Sequence, residues 1–151
     1  YKVDIHTKQF TFVSPQVRRI LGYTPTEFLD IMNDYLRTPF YHEDDRQHVV
    51  AGRYKFLVKC LNEGMQEPHE AEYCAKHKNG DVLWVRESIY PSYSSDGVIE
   101  SFVGRITDIT EQKRAEEQLE RQVQERTAKL VKANEALRID ITERNRAEKA
   151  L

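Results

Sequence analysis

His42, Asp44, Asp45 and His48 fall within seven residues, and imidazole nitrogens beside carboxylate oxygens at that density could ligate a divalent metal. Asp44 and His48 stand four apart, so a helix would bring them to one face. The same residue types have a plainer use. Acids at a helix start satisfy unpaired amides and meet the positive end of the helix dipole, and His42-Glu43-Asp44-Asp45-Arg46 precedes an apolar periodic run in that manner. The capping reading is preferred, and no metal is assigned. Other catalytic patterns are missing. The six glycines are isolated turn residues, so neither a phosphate-cradling loop nor a dinucleotide fingerprint assembles, and Gly-x-Ser-x-Gly does not occur. Catalysis is expected to lie outside these residues.

The elements that would carry such side chains follow from local pattern. Residues 1–5 and 9–13 read as a hairpin of two short strands around His6-Thr7-Lys8. Ser14-Pro15 starts a small helix with Val17, Ile20 and Leu21, ended by Gly22, and Thr24-Pro25-Thr26-Glu27 starts a second with Phe28, Leu29, Ile31 and Met32. The His42 segment opens the longest helix of the body. Val49, Val50, Phe56, Leu57, Val58, Cys60 and Leu61 give it an apolar side, and Asn62-Glu63-Gly64 closes it. Three strands are predicted at 70–77, 82–90 and 98–108, separated by Lys78-Asn79-Gly80-Asp81 and Ser94-Ser95-Asp96-Gly97, where Asn and Gly accept positive φ. Two strands, several helices and three strands predict an α+β body, one antiparallel five-stranded sheet with helices covering one face.

Composition divides the chain. All aromatic residues, all six Gly and all five Pro lie within residues 1–110, whereas residues 111–151 are rich in Glu, Lys, Arg, Ala and Leu. One globular body and one rod are expected, at 1–110 and 111–151. Residues 1–110 carry 16 acids and 13 bases, and the remainder 9 and 10. Neither part is a polycation, and basic residues alternate with acids, which argues against a nucleic-acid partner. No apolar run approaches the roughly 20 residues of a membrane span, and no signal-peptide pattern opens the chain. Two cysteines, Cys60 and Cys74, make no disulfide framework. A cytoplasmic setting without direct membrane insertion is expected, with any membrane anchor of a parent protein upstream of Tyr1.

A series of short phrases in this order resembles the PAS family, and more closely its members with the C-terminal PAC extension. The phrases are Phe12-Val13-Ser14-Pro15, Ile20-Leu21-Gly22-Tyr23-Thr24-Pro25 with Glu27-Phe28, and His42 with Asp44-Asp45-Arg46. Further along come Glu72-Tyr73, Lys78-Asn79-Gly80, Trp84-Val85, Asp96-Gly97, Phe102-Val103-Gly104 and Asp108-Ile109-Thr110-Glu111. Together they span nearly all of residues 1–110. Two positions depart from the family pattern: Glu43 stands where Pro is common, and Cys74 where Arg is common. Any role of that Arg cannot be carried over.

The resemblance implies a ligand pocket between the inner sheet face and the long helix. Its candidates are Val49, Val50, Phe56, Leu57 and Cys60 on the helix and Tyr73, Ala75, Leu83, Val85 and Ile89 on the sheet. Residues at these periods also suit a plain core, so an unknown small-molecule ligand stays one of two readings, the core being the preferred one. Flavin-thiol relatives use an Asn-Cys pair at the start of the long helix, and none stands here. Haem-binding relatives ligate iron through a histidine on that helix, but His48 does not reproduce their spacing. Haem and flavin are both disfavoured, Trp84 by itself gives no argument for a non-covalent flavin, and the cofactor is none or unknown. His42-Glu43 sits in a globular body and not on the dimerising helix of a phospho-accepting histidine.

The resemblance also likens residues 111–151 to the signalling linkers of bacterial and archaeal sensor proteins. Asp108-Ile109-Thr110-Glu111 is repeated as Asp140-Ile141-Thr142-Glu143, 32 residues later. A long C-terminal coiled-coil helix is expected, spanning roughly 60 Å. Its seam is Leu119, Val123, Leu130, Ala133, Leu137, Ala147 and Leu151, interrupted by Arg126, Asp140 and Arg144. A spacing of four heptads plus four residues is a stutter, so Ile141 leaves that seam and the coil unwinds locally. Trp84, Asp108, Ile109, Thr110 and Glu111 are the expected relay, with Asp108 or Thr110 capping the rod. The chain thus reads as a sensory and dimerisation module, a homodimer through the rod, wired to a downstream output domain of the same chain. A histidine kinase is the first expectation, a diguanylate cyclase or tandem-PAS sensor the second, and a ligand-free docking scaffold the rival.

Overall fold

The computed structural model describes residues 1–34 and 40–149. The chain divides into two units, Tyr1–Thr110 and Glu111–Leu151. The first is a five-stranded antiparallel sheet with helices, and the second is most of one long helix.

The strands are β1 (Lys2–Asp4), β2 (Phe10–Phe12), β3 (His69–Lys76), β4 (Val82–Tyr93) and β5 (Ile99–Asp108), in sheet order β2-β1-β5-β4-β3. The hairpins obey their turn chemistry. Gly80 and Gly97 hold φ of 97° and 75°, as the two Gly-containing turns require. In the first hairpin Asp4 Oδ1 accepts from the amides of His6 and Thr7 at 3.0 and 2.8 Å, and Lys8 takes a positive φ of 58°.

Two findings extend the sequence reading of the sheet. First, β4 runs three residues beyond Tyr90, through Pro91, which pairs with Phe102. Beyond Ile89 there is no β3 partner, since His69 is the first residue of that strand, and a residue without an N–H is tolerated where one side is open. Second, the exposed edge at β2 is met by a side chain. Asn33, the last residue of its helix, accepts from Phe10 N at 2.7 Å and donates to Phe10 O at 3.2 Å, so an amide group copies a strand neighbour.

The helices of the body are α1 (Val17–Leu21), α2 (Pro25–Asn33) and α3 (Glu43–Glu63). A reciprocal capping box starts α2: Glu27 N donates to Thr24 Oγ1 at 3.3 Å and Thr24 N to Glu27 Oε2 at 2.9 Å. Gly64 ends α3 at φ 62°. One apolar cluster joins Val17, Leu21, Phe28 and Met32 to Phe40, Tyr73, Ala75 and Val85. A second joins Phe56 and Cys60 to Ile89, Ile99 and Phe102. At about 25 cal/mol per Å² of apolar surface removed from water, these two clusters are the main source of stability for the body.

The last element, α4 (Thr110–Lys149), runs for 40 residues without Gly or Pro. Among the described residues, no helix is long and apolar enough to cross a membrane.

Candidate functional site

A cavity of about 870 Å³ lies in the body between α3 and the β1–β2 hairpin, with Ile89 of β4 and Phe102 of β5 among its lining residues. The reason is visible in α3. Its apolar residues form two stripes at helical spacing, not one. Val49, Phe56 and Cys60 are buried on the sheet. Val50, Tyr54 and Leu57 lie beside them and line the cavity, Val50 and Tyr54 staying 52% and 67% exposed.

Four of the ten expected pocket residues line this space: Val50, Phe56, Leu57 and Ile89. The other six do not. Val49, Tyr73, Ala75 and Val85 are buried in the first cluster, Leu83 packs against it, and Cys60 belongs to the second. The aromatic rings of Phe40 and Tyr41 pack against Tyr73, with ring centroids 6.2 and 5.5 Å from its own, and this packing takes up the inner side of β3 at that point. Strand and helix periods fix which side chains face inward, not which of them meet a wall or a void.

Several residues of the site carry no sequence signal. Glu87, on β4, is 1% exposed and paired with Arg53 of α3. Arg53 Nε lies 3.1 Å from Oε2 and Nη2 lies 2.6 Å from Oε1, a forked arrangement suited to a planar carboxylate. Arg53 Nη1 donates to the Tyr41 hydroxyl, Nη2 stands 3.5 Å from Tyr73 Oη, and the guanidinium lies over the Tyr41 ring. Tyr1 completes the group, its hydroxyl donating to Glu87 Oε1 at 2.6 Å. Gly104 makes this reach possible, because a Cβ there would stand 1.9 Å from Tyr1 Cζ. Burial raises the phenol pKa of both Tyr1 and Tyr73, and the Glu87 charge raises it further. Burial works against the Arg53 charge, but Glu87 and the surrounding phenols outweigh it and hold the guanidinium protonated. Arg53 stands at apolar helical spacing between Val49 and Phe56, a position that does not by itself reveal its partner.

The metal candidates separate. Asp45 accepts from Cys74 N at 2.7 Å, tying the start of α3 to β3, while His42 Nδ1 stands 3.4 Å from Asp44 and His48 is exposed. Among the described residues no group of three or more potential ligands converges. Cys74 pairs with Trp84 across β3 and β4.

The exit from the body is a continuation of the sheet. Ile109 N donates to Trp84 O at 2.9 Å, and Trp84 N donates to Thr110 Oγ1 at 3.0 Å. The Thr110 hydroxyl therefore stands where the next ladder carbonyl would be. Asp108 Oδ1 accepts from Thr110 N, the first amide of α4, at 2.9 Å, while the Thr110 hydroxyl meets β4. Ile109 and Thr110 are buried and Glu111 is exposed. Along α4, Leu119, Val123, Leu130 and Leu137 are 54–69% exposed, and Ala133 is exposed too. Of the remaining expected seam residues, Leu151 lies outside the described residues, as does the side chain of Ala147.

The sequence model of the PAS fold matches residues 10–106. The chain belongs to the PAS family. The PAS body is a sensory domain, and two of its solved neighbours come from signalling proteins. A sensory box histidine kinase/response regulator from Burkholderia thailandensis is 26% identical with a TM-score of 0.57, over 82% of this chain and 86% of that one. The N-terminal domain of a diguanylate cyclase with PAS/PAC sensor from Marinobacter aquaeolei is 27% identical with a TM-score of 0.56, over 74% and 94%. An uncharacterised protein of Sinorhizobium fredii, y4lL, is 35% identical over 77 residues, 51% of this chain. The chain spans about a tenth of the length of such curated relatives, 9% in the case of y4lL.

Proposed function

We propose that the PAS body is the input module of a larger signalling protein and that α4 carries its state to an output domain by pairing with a second copy of itself. The observation that carries this reading is the joint at Trp84 and Thr110. A side-chain hydroxyl of the first residue of α4 serves as the acceptor for a β4 amide, so a shift of β4 against β5 alters the first turn of the helix. Ile89 of β4 and Phe102 of β5 line the cavity, which supports a route from the cavity to the joint along these two strands.

Self-pairing is the natural fate of the α4 face. Leu119, Val123, Leu130, Ala133 and Leu137 recur at spacings of four, seven, three and four, with Arg126 standing in the seven-residue gap, and most of their surface is left in water by a single copy. The off-seam Ile141, 55% exposed, fits a change of register in the second half, and two packings of similar energy are what a relay uses. A histidine kinase is the first candidate for the output, given the Burkholderia neighbour. A diguanylate cyclase is the second, given the Marinobacter one, and the repeated Asp140-Ile141-Thr142-Glu143 phrase favours a tandem sensor as well. The rival reading is a scaffold that only dimerises.

Sedimentation equilibrium on residues 1–151 tests the pairing: a dimer is expected, and Leu130→Glu with Leu137→Glu is expected to give a folded monomer. A wild-type chain that stays monomeric at the highest attainable concentration removes the pairing, and with it the relay. Hydrogen exchange at the Trp84 and Thr110 amides, with and without cavity occupancy, separates sensor from scaffold, since only a sensor changes it.

A further inference from the structure

The floor of the cavity has an unusual electrostatic build. Arg53, Tyr41 and Tyr1 line the space, while Glu87 is held behind them. A guanidinium carries five N–H groups. For Arg53, Nε and Nη2 are occupied by Glu87 and Tyr73, and one N–H of Nη1 by the Tyr41 hydroxyl. The second Nη1 N–H of Arg53 has no acceptor among the described residues. Its charge, however, is already neutralised by the forked carboxylate. The walls are apolar, with Ile5, Phe10, Phe56, Ile89 and Phe102 among them. At the rim, Asp4 and Glu43 balance Lys8 and Arg46.

Building on the sensory reading above, we infer that this cavity takes an uncharged, largely apolar small molecule with one hydrogen-bond acceptor, such as a ketone, ester or amide carbonyl, which meets the remaining Nη1 N–H of Arg53. Each alternative chemistry is worse off. An anion would give up its hydration for a guanidinium whose partner carboxylate repels it from behind, and a cation would face the guanidinium itself. A pure hydrocarbon would strip water from that N–H and return nothing. A volume of about 870 Å³ falls within the range of small-molecule sites and accommodates a bicyclic body with its acceptor.

The test is a matched series with one bicyclic body: naphthalene, 2-acetonaphthone, 2-naphthoate and 2-(aminomethyl)naphthalene. Each is titrated into residues 1–151, with binding read from the methyl resonances of Ile5 and Ile89. The ketone is expected to bind about tenfold more tightly than naphthalene and than either charged analogue, the factor that one hydrogen bond to a charged donor supports. In the Arg53→Met, Glu87→Leu double variant the advantage of ketone over naphthalene is expected to vanish. Arg53→Lys keeps the charge but withdraws the planar fork, and is expected to remove the same advantage if the double variant does not fold. Tighter binding of the carboxylate or the amine, a ketone preference that survives both variants, or no methyl shift with any of the four overturns the assignment. A chain that dimerises but binds none of the probes sinks this inference and leaves the pairing reading standing. A monomer that binds the ketone does the reverse.

Discussion

Arg53 and Glu87, 34 residues apart in the chain, meet in a forked ion pair at the floor of the cavity, with Glu87 1% exposed and the Arg53 side chain 23% exposed. Two further groups, the hydroxyls of Tyr1 and Tyr41, are fastened to this pair. The pair satisfies polar groups that the surrounding apolar walls could not, so it belongs to the architecture of the cavity as much as to its chemistry.

Glu87→Ala leaves the guanidinium without its partner in a largely dry setting. The expected loss is about 3 kcal/mol, the lower end for breaking a buried pair because Arg53 retains some contact with water. Arg53→Met with Glu87→Leu should lose clearly less than Glu87→Ala by itself. Urea unfolding of the three proteins checks this, and a double variant less stable than the single one contradicts it.

Thr110→Val preserves shape and removes the acceptor used by Trp84 N. A cost of about 1 kcal/mol is expected, with faster hydrogen exchange at the Trp84 amide and little change at the far end of β4. Native-state exchange measured residue by residue gives the answer. Uniform acceleration over the whole sheet would mean that the joint has no local role.

Gly104→Ala sets a Cβ against the Tyr1 ring and should cost about 1–3 kcal/mol as an overpacked site. Because the harm comes from that ring, Tyr1→Ala should remove most of the penalty of Gly104→Ala. A double-mutant cycle on the two positions is therefore expected to be strongly non-additive, and additive penalties would rule out the contact.

Burial lowers the pKa of His69 below its ordinary 6.5, with Glu87 pulling it up and Arg53 pushing it down. Its ring stacks on Phe56 and its buried Nε2 has no hydrogen-bond partner among the described residues. A histidine with a depressed folded pKa takes up its proton more readily when unfolded, so the body should lose stability as pH falls below about 6.5. Denaturation midpoints at several pH values should show that acid slope in the wild type and a reduced slope in His69→Phe.

Glu27 has its pKa lowered to about 2, first by the Lys78 ammonium at 2.7 Å and then by the amide of Thr24. A depressed carboxylate contributes stability above its unfolded value of 4.5 and loses that contribution as pH falls towards about 2. The gap in thermal midpoint between wild type and Glu27→Gln should accordingly be present near neutral pH and close over that window. A gap unchanged at the acid end would mean that the ion pair and capping box contribute nothing through charge.

Residues 1–110 could be divided into strands, helices and turns from the sequence alone because the signals are local. Thr24 and Glu27, the Gly64 terminus and the turns at Gly80 and Gly97 each act within a few residues through one hydrogen bond or one backbone angle. Location of the cavity was decided by the tertiary structure. Val49, Phe56 and Cys60 form one helical stripe of α3 and Val50, Tyr54 and Leu57 another, and spacing cannot tell that the first packs on the sheet, with Phe56 also reaching the cavity, while the second lines the void. Nor could it pair Arg53 with Glu87, lay Tyr1 across Gly104, or turn the Thr110 hydroxyl back to Trp84, since each contact joins residues at least 26 apart whose types gain meaning only when the sheet brings them together.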